Sequence, residues 1–234
     1  METGFYVLYL IFALTAGLIL LIRAGKSRAH RLFGAAILLL GFGDAFHLVP
    51  RAVGLFTDTL NEPSADLAMW LGLGKFITSV TMTLFYLFLY VFMYKRTETN
   101  GPRFWDYTVS LLIILRIFLC AFPQNNWITN DSPLLWNILR NIPFVILGVV
   151  MVILTHQILR HIRSFKWLWI MIILSFAFYI PVLLFADRIP WVGMLMIPKT
   201  VCYMIIALMA LSDLRKVRET ERETTAETNN GQTL

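Results

Sequence analysis

The chain has 234 residues, of which 58% are hydrophobic and 15% are charged, and its formal net charge at pH 7 is +6. Soluble domains average roughly 45–50% apolar and 25% charged residues, and a soluble domain of this length could not bury so much apolar surface. The composition therefore excludes a soluble enzyme, a disordered chain, a repeat solenoid and a disulfide-stapled secreted module. It indicates a polytopic membrane protein. The two cysteines, Cys120 and Cys202, lie in apolar stretches and are interpreted as packing residues.

Seven stretches are apolar enough, and long or nearly long enough, to cross a bilayer as helices, which takes about 20 residues each. In chain order they are 5–22, 32–50, 67–94, 107–122, 142–158, 167–186 and 191–212. The sequence thus predicts an all-α polytopic membrane protein with seven transmembrane helices in residues 1–212. Residues 213–234 lose all hydrophobicity, and they are predicted to be a cytoplasmic polar tail with a short helical extension followed by disorder.

The basic residues between these stretches are unevenly divided between the two sides. Fourteen of the 20 Lys and Arg residues follow the first, third, fifth and seventh stretches, whereas Arg51, Arg140 and Arg188 lie in the connections on the opposite side. The positive-inside rule then predicts an outside N-terminus and a cytoplasmic C-terminus. We expect the membrane to be a bacterial plasma membrane. Because the charges fall in short runs between apolar stretches, they do not indicate a nucleic-acid partner.

Six ionisable residues remain inside the predicted spans. A charge in hydrocarbon costs at least about 2.5–3.5 kcal/mol, so such groups normally face the protein interior and pair. At 1.5 Å per residue, all of them except His156 fall at a similar depth, in the outer half or at the midplane. Arg51 continues the helix face that carries two of them, because 44, 47 and 51 share one face of a helix. The six are Asp44, His47, Lys75, Arg116, His156 and Lys199.

These residues predict a cationic pocket near the outer leaflet. Three cations against one carboxylate leave charge unmatched, which favours an anionic ligand. A structural ion-pair network that fixes helix register, and a lysine neutralised by desolvation, remain open alternatives. Asp44 and His47 lack a third metal ligand, so neither a metal nor a cofactor is predicted. The expected partner is a membrane lipid or a small anionic ligand, and the predicted binding residues are Lys75, Arg116, Lys199, Arg51, Tyr179 and Tyr203.

One stretch resembles a known family. Residues 40–51 read LGFGDAFHLVPR, and residues 74–79 read GKFITS. The first is similar to the Gly-Asp helix of the YhhN-type lysoplasmalogenases, and the second to the start of that family's following helix. LLFAD at 183–187 and Cys202-Tyr203 are weaker similarities. The chain departs from the family in having one span before the Gly-Asp helix, no Lys-Pro signature, and Val80 where the family has a histidine.

The resemblance implies an activity, the hydrolysis of a vinyl-ether lysophospholipid to an aldehyde and a glycerophospho compound. A carboxylic acid would protonate the vinyl carbon, and water would then add to the oxocarbenium ion. The resemblance implies Asp44 as that acid, with Asp187 or His47 orienting the water. The cations Lys75, Arg116 and Lys199 would hold the phosphate.

Two other classes of protein stay open. The pocket is equally compatible with an enzyme and with a small transporter, channel or receptor for an anionic or zwitterionic ligand. An opsin-like retinal protein is suggested by Lys199, midway along the seventh stretch. Against the opsin, the third stretch has no carboxylate to serve as counter-ion, and Leu195 stands where an aspartate is expected.

Overall fold

The structure, a computed structural model, describes residues 2–60, 62–185 and 189–231. This part of the chain forms seven α-helices joined by short connections, and it contains no strand. Short 3-10 helices at Pro123–Asn125 and Pro190–Leu195 precede the fifth and seventh. The helices are α1 (Glu2–Arg23), α2 (Arg28–Phe56), α3 (Ala65–Thr97), α4 (Arg103–Cys120), α5 (Leu134–Leu159), α6 (Leu168–Phe185) and α7 (Met196–Gly231).

Local sequence sets the ends of α2 and α3. Ser27 and Ser64 stand at their N-caps, and each hydroxyl accepts a hydrogen bond from a backbone N–H three residues further on. An N-cap of this kind satisfies one of the donors that the first helical turn leaves without a partner. At the other end of α3, Glu98 adopts a left-handed backbone conformation with φ 51° and stops the helix.

Six segments are long and apolar enough to cross a membrane: α1, α2, α3, α5, α6 and Trp191–Thr224, which contains much of α7. The helix α4 is not among them, because its 18 residues include Arg103, Asp106 and Arg116. Large apolar side chains are exposed on the outside of the bundle, Leu8 to 68% and Ile114 to 66% for example. An apolar exterior of this extent is what lipid covers. The chain is a helical membrane protein.

The last helix is longer than its apolar part. Its 36 residues would extend about 54 Å, whereas the hydrocarbon core of a bilayer is about 30 Å thick. The described part of the polar tail, residues 213–231, belongs to this helix. Oppositely charged side chains one turn apart, such as Arg215 and Glu219, stabilise an exposed helix of this kind.

The seven helices close into one bundle. The first helix, α1, packs against α2 and α7, and α2 packs against α3. On the other side, α5 packs against α3, α4 and α6, and α6 packs against α7, which completes the ring. We call the end at which α1 begins the N-terminal end of the bundle. The described parts of the α2–α3 and α4–α5 connections and the 3-10 helix before α7 lie at the same end.

Two glycines bring α2 and α3 close together. A Cβ atom at Gly43 would overlap a threonine side chain of α3, and one at Gly74 would overlap the carbonyl group of Phe46. Only a residue without a side chain fits such a close approach of two helices. The chain neighbours of these glycines, Asp44 and Lys75, thereby come to the same cavity.

At the opposite end of the bundle a buried polar cluster joins three helices. Asp213 of α7 pairs with the Nε2 atom of His30 in α2 at 3.0 Å, and it accepts a hydrogen bond of 2.6 Å from Nε of Arg96 in α3. His30 is fully buried, and Asp213 is 2% exposed. Buried charges normally have such partners, and this cluster fixes the register of α7 against α2 and α3.

Candidate functional site

A cavity of about 410 Å³ lies inside the bundle toward its N-terminal end. All seven helices contribute side chains to its wall, together with the connection before α5 and the 3-10 helix before α7. Apolar side chains such as Met82 and Phe144 alternate with polar ones. The charged side chains in its described lining are Asp44, Arg51, Lys75, Arg116, Asp131, Arg140 and Lys199.

The structure brings the site residues that the sequence predicts into this one cavity, with a single exception. Asp187 lies outside the described residues. These residues lie on five helices, α2, α3, α4, α6 and α7, and for α2, α3, α4 and α7 the meeting agrees with the depths calculated along the predicted spans. The predicted residues that line the cavity are Asp44, His47, Arg51, Lys75, Arg116, Tyr179, Lys199 and Tyr203.

The carboxylate of Asp44 is held by a tyrosine that the sequence analysis missed. The hydroxyl of Tyr9 donates a hydrogen bond of 2.5 Å to its Oδ2 atom, and Tyr9 is only 2% exposed. None of the ion pairs in the described chain, which are defined by a distance of at most 4 Å, includes the Asp44 carboxylate. Lys199 is nevertheless near enough to interact with Asp44 electrostatically. The spacing of Tyr6, Tyr9 and Ala13 could have indicated this buried face of α1.

Lys199 reaches the cavity from α7 between two aromatic rings. It is 6% exposed, and its Nζ atom lies 4.8 Å from the ring centroid of Tyr179 and 5.9 Å from that of Tyr203. Aromatic faces attract a cation, and this attraction offsets part of the free-energy cost of removing the ammonium group from water. The hydroxyl of Tyr203 is in turn 3.1 Å from that of Tyr86.

His47 lies one helical turn beyond Asp44 on the same face of α2. Its Nδ1 atom is buried and has no hydrogen-bond partner. Three cations, Lys75, Arg51 and Lys199, lie near enough to interact with the ring electrostatically. A ring nitrogen without a partner beside a cavity is available to a ligand or to a water molecule.

At the edge of the cavity Arg51 has an acidic partner that the sequence analysis did not find. Its Nε donates to the hydroxyl of Tyr6 at 3.0 Å, and its Nη2 lies 3.4 Å from Oε2 of Glu2. The Tyr6 hydroxyl donates to the same carboxylate at 2.9 Å. The charge of Arg51 is therefore balanced by Glu2, and Arg51 contributes less to the cationic character of the cavity than predicted.

The structure corrects the placement of Arg140. The sequence analysis assigns it to a connection outside the membrane, whereas it lies inside α5 and is 6% exposed. The apolar stretch begins at residue 142, but the helix begins at Leu134. A prediction from hydropathy alone therefore misses the first two turns of α5. Arg140 adds a cation to the cavity wall beside Arg116.

The charge balance of the cavity is clear from these positions. Besides Arg51, four basic side chains belong to the described lining: Lys75, Arg116, Arg140 and Lys199. The carboxylates of the described lining are Asp44, at its inner part, and Asp131, which is exposed in the α4–α5 connection. The described part of the lining therefore has more basic than acidic side chains.

The described residues contain no group of three or more His, Cys, Asp or Glu side chains placed to hold a metal ion. The chain matches no protein-family model, no curated protein and no solved structure.

Proposed function

We propose that the chain crosses the membrane seven times, with its N-terminus outside, and that its cavity binds an anionic amphiphile of the lysophospholipid type. The observation that carries this proposal is that several basic side chains, among them the buried Arg116 and Lys199, share the described lining of one cavity with Asp44 and Asp131. Basic side chains at this depth in a membrane cost free energy and are stabilised by nearby anions. The negative charge of a lipid headgroup would stabilise these basic side chains.

The seventh span requires α4 to cross the membrane despite its three charges. The side chain of Arg116 lines the cavity, and Asp106 accepts a hydrogen bond of 2.6 Å from Tyr90 of α3. Arg103 is the first residue of the helix, where a long cationic side chain can reach the interface. The outward side of α4 is apolar, with Leu111 and Phe118 exposed to 64% and 58%. These placements support α4 as a span.

The size and lining of the cavity favour an amphiphile. Its 410 Å³ lies within the range of roughly 300–1,000 Å³ that is usual for small-molecule sites. Apolar residues, among them Leu48, Met82 and Val182, share the wall with the cations. A headgroup with the first atoms of an acyl chain presents the same mixture of surfaces.

The binding proposal can be tested with two lipids that share one acyl chain. Native mass spectrometry of the purified protein is expected to retain a lysophospholipid, whereas the uncharged monoacylglycerol binds more weakly. Replacing a cavity cation by Lys75→Gln should weaken lysophospholipid binding by about tenfold. The exposed Lys26 provides the control, since Lys26→Gln should change nothing. Equal retention of both lipids by all three proteins would contradict the proposal.

A hydrolase is the second candidate, and the neighbouring Asp44 and His47 favour it. In the hydrolysis of a vinyl-ether lysophospholipid, Asp44 gives its proton to the vinyl carbon that is not bonded to oxygen, and the ether oxygen stabilises the resulting cation. Water oriented by His47 adds to the neighbouring carbon, the one bonded to the ether oxygen, and returns a proton to Asp44. The hemiacetal then breaks into an aldehyde and the glycerophospho alcohol. Tyr9 holds the carboxyl group in position through its hydrogen bond.

The two candidates differ in whether product forms. If the protein is a hydrolase, the wild type releases aldehyde from a vinyl-ether lysophospholipid and Asp44→Asn does not. If the wild type binds the same lipid and forms no aldehyde, the protein is a binding protein, such as a transporter or a receptor. Undiminished hydrolysis by Asp44→Asn would contradict the role of Asp44.

A further inference from the structure

The amino group of Lys199 is buried at the cavity and has no hydrogen-bond partner among the described residues. Lys199 is 6% exposed, and its side chain belongs to the described lining of the cavity. None of the hydrogen bonds and ion pairs of the described chain involves its Nζ atom. Buried polar groups normally have such partners, so an amine without one requires a physical explanation.

Two tyrosine rings stand next to this amine, and their hydroxyl groups are engaged elsewhere. The Nζ atom lies 4.8 Å from the ring centroid of Tyr179 and 5.9 Å from that of Tyr203. The hydroxyl of Tyr179 donates a hydrogen bond of 2.7 Å to Asn141, and the hydroxyl of Tyr203 is 3.1 Å from that of Tyr86. These contacts fix the rings, which position the amine without a hydrogen bond to its nitrogen atom. The nitrogen is therefore available to form a bond with a ligand.

Asp44 of α2 is the carboxylate that acts on this amine across the cavity. The two residues are near enough for each to interact electrostatically with the charge of the other. Tyr9 holds the Asp44 carboxylate through its hydrogen bond of 2.5 Å, so the carboxylate keeps its position without an ion pair to the lysine. A carboxylate beside an amine can take up a proton, return it later and act as the counter-ion of a cationic nitrogen.

The helices α6 and α7 line this side of the cavity mainly with apolar and aromatic side chains. Val182 and Leu183 lie in α6, and Met196 lies three residues before Lys199 in α7. The polar Thr200 donates its hydroxyl hydrogen bond to the carbonyl oxygen of Met196. Apolar walls with one reactive polar group are suited to a ligand that has a hydrocarbon chain and a single polar end.

We propose that Lys199 binds long-chain aldehydes covalently, through an imine between its Nζ atom and the aldehyde carbon. Lysine amines in desolvated sites form such imines with carbonyl compounds. Covalent capture of an aldehyde goes beyond the proposed binding of a lysophospholipid, and either can hold without the other. The aldehyde enters from the membrane or is released in the cavity by the hydrolysis considered above.

The bond changes balance without an oxidant or a reductant. Asp44 takes one proton from the ammonium group of Lys199, and the free amine attacks the aldehyde carbon to give a carbinolamine. Asp44 returns the proton to the hydroxyl group, which leaves as water while the C=N double bond forms. One ammonium group and one aldehyde thereby become one protonated imine and one water molecule. The imine keeps the positive charge, so Asp44 remains its counter-ion, and the reverse reaction with water releases the aldehyde.

Reductive trapping tests the proposal on the full-length protein in detergent. Hexadecanal is added with cyanoborohydride, which converts an imine into a stable amine, and the adduct adds the mass of the aldehyde less one oxygen atom. Intact mass measures its amount, and peptide mapping identifies the modified lysine. Hexadecanol, which has no carbonyl group, and propanal, which has no long chain, are the ligand controls. The variants are Lys199→Arg, which keeps the charge, Asp44→Asn, and Lys26→Arg at an exposed position as the control.

We expect the wild type and Lys26→Arg to carry the adduct on Lys199 at least about tenfold above the level on any exposed lysine. A hydrocarbon chain bound in the cavity raises the effective concentration of the carbonyl group at this amine. Lys199→Arg should lose the adduct while its thermal unfolding matches that of the wild type. Asp44→Asn should form the adduct about tenfold more slowly or less, because the proton transfer is lost.

A vinyl-ether lysophospholipid with the same chain, given in place of hexadecanal, distinguishes the two sources of the aldehyde. The same adduct on Lys199 would support capture of an aldehyde released by hydrolysis in the cavity. An adduct from hexadecanal alone would support capture of an aldehyde that enters from the membrane.

Three results would overturn the proposal. Modification of Lys75 or of exposed lysines without modification of Lys199 would show that another amine reacts, and mapping of the wild type decides this even if Lys199→Arg does not fold. Equal trapping of propanal and hexadecanal would remove the preference for a long chain. A wild-type rate in Asp44→Asn would remove the proton transfer. Native mass spectrometry of the same preparation separates the two proposals, because a protein that retains lysophospholipid but traps no aldehyde loses only the covalent capture.

Discussion

Tyr9 of α1 and Asp44 of α2 are joined by a hydrogen bond of 2.5 Å between the phenol hydroxyl and the carboxylate. The contact links residues 35 positions apart in the chain, and it fixes which face of α1 is turned inward. It also gives the carboxylate, in a cavity with several basic side chains, a neutral partner at hydrogen-bond distance.

Removing the hydroxyl in Tyr9→Phe should reduce stability. The loss of one hydrogen bond to a charged group costs about 1.5–3 kcal/mol, so the melting temperature in detergent should fall by several degrees. Tyr107→Phe is the matched control, because Tyr107 is 73% exposed on the outside of α4. A melting temperature of Tyr9→Phe equal to that of the control would show that the bond contributes nothing to stability.

The contact between α2 and α3 should not tolerate a methyl group at Gly74. A Cβ atom at this position would overlap the Phe46 carbonyl group and the backbone of His47. We expect Gly74→Ala to force the helices apart at a cost of about 1–3 kcal/mol. Gly4 is the control, since a Cβ atom there meets nothing within 4 Å. Thermal unfolding of Gly4→Ala and Gly74→Ala in the same detergent makes the comparison, and equal stability would refute close packing at Gly74.

The buried cluster at the opposite end of the bundle should be a major source of stability. Asp213→Asn keeps the shape of the side chain but leaves Arg96 and His30 without their anionic partner. We expect a loss of about 2 kcal/mol or more, because an unpaired charge is left partly buried. Asp58→Asn, at an exposed position with positive φ that asparagine also tolerates, controls for the change of charge. If both variants unfold at the same temperature, the cluster does not fix α7.

Membrane orientation can be determined by labelling single cysteines in intact cells with an impermeant thiol reagent. Cys120 and Cys202 are buried and should give little background. Glu62→Cys and Gln124→Cys, both at exposed positions of connections at the N-terminal end, should be labelled. Lys26→Cys, in the α1–α2 connection, should be labelled only after the cells are opened.

The pair at 62 and 124 also tests whether α4 crosses the membrane. Three helices, α2, α3 and α4, separate Lys26 from the α4–α5 connection, and α4 is the one whose charges oppose insertion. Labelling at 62 without labelling at 124 would contradict a span at α4. Labelling at 26 alone would reverse the proposed orientation.

The main outline of the fold could be predicted from the sequence because hydropathy acts locally. Each of the seven apolar stretches lies within one helix or overlaps it, and six of the helical segments are apolar enough to span a membrane. The predicted ends of the helices were less accurate where apolar and polar residues are mixed. Arg140 was assigned to a connection because Asn137, Arg140 and Asn141 interrupt the apolar pattern at the start of α5.

The candidate site could be predicted in composition but not in pairing. Asp44, Lys75, Arg116 and Lys199 stood out because charged residues are rare in apolar stretches, and all four line the cavity. Their partners did not stand out. Tyr9 and Tyr6 are ordinary residues of an apolar helix, and Glu2 is an ordinary residue at a chain terminus. Only contacts across helices give these residues a role.

The sequence by itself determined that the protein is a helical membrane protein, and it supplied a predicted orientation and the ionisable residues that its apolar helices carry. These properties depend on the transfer of each segment from water to lipid, which is nearly additive along the chain. The tertiary structure alone decided that Glu2 balances Arg51, that Tyr9 holds Asp44, and that Arg140 stands beside Arg116. Such pairings depend on the rotation and depth of each helix, which close packing sets at positions far apart in sequence.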